Sequence, residues 1–184
     1  MKTEADVAAF LEDQAYFLRA LDHVTQLDLA DCWISAGFIR NAVWDHLSGF
    51  APAPQQTDDV DVLFFEPADL SRKGELEAER VLAELSPDYD WQVRNQARMH
   101  LKNGDAPYRD TEDGLRHFLE TATAIGARLN GGRVEVIAPY GVDDLTTLTL
   151  RPTASGRARP HEFNERVDRK GWRQRWPKLS VIAA

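Results

Sequence analysis

The sequence predicts an α+β fold, a mixed β-sheet with helices packed on it. Three observations carry that prediction: an amphipathic opening stretch, a glycine-led helical pattern followed by a short apolar strand, and a glycine-containing hairpin signal near residue 131. At 184 residues and 43% hydrophobic the chain can bury one core, so a single domain is expected over 1–153 with a basic, aromatic C-terminal tail, 154–184, packed on it.

Across 3–26, Val7, Phe10, Leu11, Phe17, Leu18, Leu21 and Val24 recur at helical spacing and predict a first helix that covers the core. A short apolar approach from Cys32 to Ala36 meets Gly37, after which Ile39, Val43 and Leu47 repeat every four residues until Gly49. Prolines at 52 and 54 mark 51–56 as a loop. The run 59–65, rich in Val and Phe, reads as a central strand, and 71–86 as a third helix stopped at Ser86-Pro87. Residues 91–99 read as a weaker strand, and Thr111 as the cap of a short helix. The stretches 121–129 and 133–138 flank Asn130-Gly131-Gly132 and predict a hairpin. Asp143 or Asp144 is expected to cap the segment carrying Leu145. Small residues without periodicity over 154–160 read as a mobile connector.

No apolar run of membrane-spanning length and no basic-then-apolar leader is present, so the expected localisation is cytoplasmic, with no membrane partner. The lone Cys32 reads as a small buried side chain rather than a nucleophile. A net charge of −8 argues against general affinity for phosphate backbones, and DNA is not an expected partner. The charge is uneven: residues 151–184 hold nine Lys/Arg against three Asp/Glu. That basic segment either packs on the acidic body or supplies cations to a polyphosphate or nucleic-acid ligand.

Alternate side chains of a strand share a face, about 6–7 Å apart. Asp59 and Asp61 therefore point one way, while Val60, Val62 and Phe64 point the other. Two neighbouring carboxylates repel unless a cation relieves them, and hard oxygen ligands of this kind suit Mg²⁺, with Mn²⁺ as the alternative. The opposing reading is a solvent-exposed strand end. Gly37 upstream tips the balance, because a glycine at a helix start lets backbone amides approach an anion at the helix's positive end.

At these residues the chain resembles the nucleotidyltransferase superfamily, whose signature is a glycine-led helix followed by a strand bearing an acidic, apolar, acidic triplet. More narrowly, it resembles a bacterial group of nucleotidyltransferase-like proteins. The matching stretches are Trp33-Ile34-Ser35-Ala36-Gly37-Phe38-Ile39-Arg40-Asn41, Asp59-Val60-Asp61-Val62, the run from Val93 to His100, the run from Ala138 to Leu145, and Arg151-Pro152-Thr153. The resemblance implies a polymerase-beta-like fold and metal-dependent transfer of a nucleoside monophosphate from a nucleoside triphosphate to an acceptor that is a small molecule, a protein or an RNA end. It implies Asp59 and Asp61 as catalytic metal ligands, and Gly37, Arg40, Asn41, Asn95 and Arg98 as nucleotide contacts.

The superfamily's usual third carboxylate, on a later strand, falls here in Trp91-Gln92-Val93, where the acid is replaced by an amide. Asp90 is expected to face away from that slot in a regular strand and to serve only through a bulge. The small residue that usually follows the helix glycine is Phe38. A non-catalytic nucleotide-binding module is therefore the alternative reading, and a nucleotide-sugar glycosyltransferase a third that needs a larger domain. Trp172 and Trp176 are expected either to stack a base or to dock the tail.

Overall fold

The computed structural model describes residues 1–51 and 59–184. The loop expected over 51–56 falls outside them apart from Ala51. The elements in chain order are α1 (Glu4–Glu12), α2 (Ala15–Thr25), β1 (Trp33–Ser35), α3 (Gly37–Leu47), β2 (Asp59–Phe64), α4 (Lys73–Leu85), β3 (Asp90–Asn95), α5 (Gln96–Asn103), α6 (Thr111–Arg116), β4 (Gly126–Asn130), β5 (Arg133–Ile137), α7 (Asp143–Thr146), β6 (Thr149–Leu150), α8 (Ala154–Ala158), α9 (Pro160–Lys170), α10 (Trp172–Arg175) and β7 (Ser180–Val181).

Five strands form one sheet in the order β3-β2-β1-β4-β5. The β2–β3 pair is parallel and the other pairs are antiparallel, so the sheet is mixed, as the sequence predicts. The hairpin forms as expected, with Asn130 opposite Arg133 and both Gly131 and Gly132 at positive φ, the conformation a two-residue loop demands. Helices α1, α2 and α4 cover the sheet. Val7, Leu11, Phe17, Leu21, Ile34, Val60, Val62, Leu82 and Val93 meet in one core, which Phe163, Val167, Trp172, Trp176 and Leu179 of the C-terminal segment join.

Several local expectations are corrected. The first helix is two, because Leu11 and Phe17 are six residues apart and fall out of phase on a continuous helix. A break after Asp13 restores the phase and buries both. Strand β3 ends at Asn95, whose side chain accepts the Ala97 N–H and opens α5 where strand was expected to continue. Asp110, not Thr111, caps α6 by accepting the Asp113 N–H. Neither Asp143 nor Asp144 caps α7: Asp144 instead accepts from the Thr121 hydroxyl at 2.7 Å and pairs with Arg151 at 3.0 Å.

The segment 154–160 is not a connector but helix α8, capped by Thr153, leading into α9 with Pro160 in its first turn. Its small residues serve close packing. A Cβ at Gly156 would lie 2.3 Å from the Leu119 carbonyl oxygen, so only glycine fits there.

Candidate functional site

Strand β1 leads directly into α3, and the turn between them carries the strain. Ala36 sits at φ 58, ψ −123, a region L-residues avoid, while Gly37 has ordinary helical geometry. The pair of small residues at the helix start is thus Ala36 and Gly37. Phe38 turns inward, 4% exposed, stacking on Phe17 at 5.2 Å, so it does not crowd the helix end. The early N–H groups of α3 lack intrahelical partners and aim their positive end outward.

Over this helix end stand two donor side chains. A methyl built on Gly37 would lie 3.6 Å from Arg40 Nη2 and 4.0 Å from Asn41 Nδ2. Arg40 is 3% exposed and held from several sides. It donates to Thr123 Oγ1 at 2.8 Å and Asn41 Oδ1 at 2.9 Å, and its guanidinium lies 4.5 Å from the Trp172 ring centroid.

Opposite are the two aspartates. In register, Ser35 pairs with Asp61, Asp61 with Gln92 and Asp59 with Asp90, which sets Asp59, Asp61 and Gln92 on one face beside the α3 N-terminus. Because β3 is regular and Asp90 and Gln92 are two residues apart, Asp90 shares that face instead of opposing it. It lies exposed at the strand's start and does not line the cavity. No described side chain donates a hydrogen bond to Asp59 or Asp61, and the buried Ser35 hydroxyl beside Asp61 is also without a partner. Burial, and then the neighbouring Asp59 charge, push Asp61 up to about 6, although Arg166, Lys170 and Arg94 pull the other way.

These groups line one cavity of about 340 Å³ together with Phe118, Arg166, Lys170, Trp172, Arg175 and Trp176. Two acids thus face a helix end and four cations. Arg166 pairs with Glu120 at 2.8 Å and Arg175 with Asp45 at 2.8 Å, so α9 and α10 are tied to the body beside the cavity. Trp176 adds a donor to Asp45 at 2.9 Å. Both tryptophans are buried: docking, not an open stacking face, occupies them.

Of the sequence candidates, Gly37, Arg40, Asn41, Asp59 and Asp61 come together. Asn95 and Arg98 do not line the cavity. Asn95 is 1% exposed, bonding to Glu66, Asp69 and Ala97, and Arg98 forms a two-bond pair with Glu75. Arg166 and Arg175 are lining residues that no sequence motif singled out individually, whereas Lys170, with Trp172 and Trp176-Pro177, extends the family resemblance toward the C-terminal end. The signal of these cations was the local excess of basic residues and the four-residue spacing of Arg166 and Lys170, which share a helix face.

A pair of metal-type carboxylates without donors is the kind of oxygen set a hard divalent cation satisfies, so the residues fit Mg²⁺. Among the described residues, no group of three or more His, Cys, Asp or Glu is placed to hold a metal. Cys32, pushed up to about 12 by burial and by Asp31, is no nucleophile.

The fold defines a protein of nucleotidyltransferase type. An NMR structure described as revealing a CCA-adding enzyme head domain matches with a TM-score of 0.86 and 30% identity, over 100% of this chain and 98% of that one. A family model described as nucleotidyltransferase matches residues 22–181, and the chain belongs to that nucleotidyltransferase family. No curated protein matches it. Among the described residues, no helix is long and apolar enough to cross a membrane.

Proposed function

We propose that the chain moves a nucleoside monophosphate from a nucleoside triphosphate to an acceptor, with Asp59 and Asp61 holding Mg²⁺. The observation that carries this reading is a pair of carboxylates, to which no described side chain donates, facing a helix N-terminus and the Arg40 and Asn41 side chains across one cavity. The donor side suits a triphosphate, whose oxygens accept from backbone N–H groups and guanidinium alike. Bound there, the cation supplies neutralisation of phosphate charge during in-line displacement.

The chain's own residues do the rest. The start of α3 orients phosphate oxygens, while Arg166 and Lys170 offset negative charge from the tail side. Trp172 and Thr123 keep Arg40 in place, which removes the entropic cost of ordering it at binding. The acceptor class includes small molecules, proteins and, given the likeness to a CCA-adding enzyme head domain, an RNA end.

Gln92 in the third acidic slot favours a second reading, a module that binds nucleotide without transferring it. A thermal-shift panel of the four triphosphates, with and without Mg²⁺, tests the shared part of both readings on wild type, Asp59→Asn and Asp61→Asn. Metal-dependent stabilisation lost in both variants is the expected result. Absence of any shift would sink both readings. Transfer of an α-labelled nucleotide then separates enzyme from module.

A further inference from the structure

The amide in the third slot has a defined orientation. Gln92 lies beside Asp61 in the β2–β3 register and lines the cavity. Arg94, two residues on along the same face, donates to Gln92 Oε1 at 3.4 Å and is itself anchored by Glu79. With its oxygen engaged, the amide keeps two N–H donors at Nε2. No described residue accepts them.

The cavity wall at this point offers a donor where a base is otherwise needed. Besides Asp59 and Asp61, no His, Cys, Asp or Glu is among the described lining residues. Asp90 stands exposed beside Asp59, away from the lining. A neutral hydroxyl must give up a proton as it attacks phosphorus, and the two lining acids are committed to the cation in the reading above. An oxyanion has no proton to give.

We infer that the acceptor is an already ionised phosphate monoester, an inference that rests on the transfer function proposed above. One of its oxygens forms a bond to the α-phosphorus of the triphosphate. The bond from that phosphorus to the α,β-bridging oxygen breaks, and pyrophosphate leaves with the electron pair. No proton changes place, nothing is oxidised or reduced, and the product is a phosphoanhydride. Gln92 Nε2 and the Lys170 ammonium hold the acceptor's remaining oxygens, and Arg94 is a positioning residue that aims the amide.

The test uses the full chain with Mg²⁺, α-labelled triphosphates and matched acceptors that differ by one phosphate: ribose against ribose 5-phosphate, and an RNA oligonucleotide ending in a hydroxyl against one ending in a phosphate. Carboxylates such as succinate form a third arm. Phosphate-bearing acceptors are expected to take label roughly a hundredfold faster than their hydroxyl partners, the factor a missing base costs a hydroxyl. The product should show the phosphorus resonance of an anhydride. In Gln92→Glu the preference should reverse toward hydroxyls, while Arg94→Lys should raise the KM for the phosphate acceptor more than it lowers kcat. Thermal stabilisation by ribose 5-phosphate should vanish in Gln92→Glu while stabilisation by triphosphate with Mg²⁺ persists. Faster labelling of hydroxyl or carboxylate acceptors overturns the inference and leaves the transfer function standing. Triphosphate binding without label on any acceptor overturns the inference and favours the module. No triphosphate binding removes the proposed function itself.

Discussion

Glu75 and Asp61 are both carboxylates drawn away from water beside the parallel pair β2 and β3, but their surroundings differ. Glu75, fully buried, accepts from the Asn95 N–H at 2.9 Å and from Arg98 at 2.6 and 2.8 Å. Burial works against its charge, yet the Arg98 and Asn95 hydrogen bonds more than offset that and hold its pKa below the usual carboxylate range. Asp61 opens on a cavity, accepts nothing from the described residues, and has a raised pKa. A charge whose bonds are complete is part of the architecture. One left incomplete beside a cavity is placed for something that arrives later.

The contrast can be broken most directly by neutralising Asp59. Asp59→Asn should lower label transfer roughly 100-fold or more while leaving the metal-free fold as stable as wild type. A variant that keeps full transfer would mean the pair holds no ion. The same kind of change at the other cluster should act on stability: Glu75→Ala strands Arg98 and the Asn95 N–H, and should cost about 3 kcal/mol in denaturant unfolding.

The pH dependence sharpens the comparison. Because the folded state raises Asp61 from 3.8 to about 6, its ionised form opposes folding above that value, and the opposition fades as pH falls. Without divalent cations, Asp61→Asn should exceed wild type by about 2 kcal/mol near pH 8, allowing for the opening to the cavity. The gap should close as pH drops through about 6 toward 4. Excess Mg²⁺ should reverse it, since only the carboxylate gains from the ion. The smallest effect expected is at Lys170, exposed and without an ion pair among the described residues. Lys170→Ala should weaken triphosphate binding by about fivefold, measured calorimetrically, with no change in unfolding midpoint.

What was legible in the sequence follows from where the partners sit. The Asp59-Val60-Asp61 alternation and the Ser35-Ala36-Gly37 turn are local, and strand and helix periodicity place them without knowledge of the rest. Asn95 and Arg98 lie outside the cavity lining, held by Glu66, Asp69 and Glu75, partners that tertiary packing sets and no local pattern shows. The same holds for Arg166 and Lys170, which meet Asp61 across more than a hundred residues. The break between α1 and α2 was in principle visible as the six-residue step from Leu11 to Phe17. Phe10 and Leu18, each next to one of that pair, blur the step.

Asp45 on α3 grips Arg175 and Trp176, so one wall of the cavity comes from residue 37 onward and the facing cations come from beyond residue 165. On the ribosome, a growing chain carries both aspartates long before the opposing wall has been synthesised. Until that late segment emerges and settles against α3, the cavity has only one of its walls, so the acids and the cations that face them come together only in the finished chain.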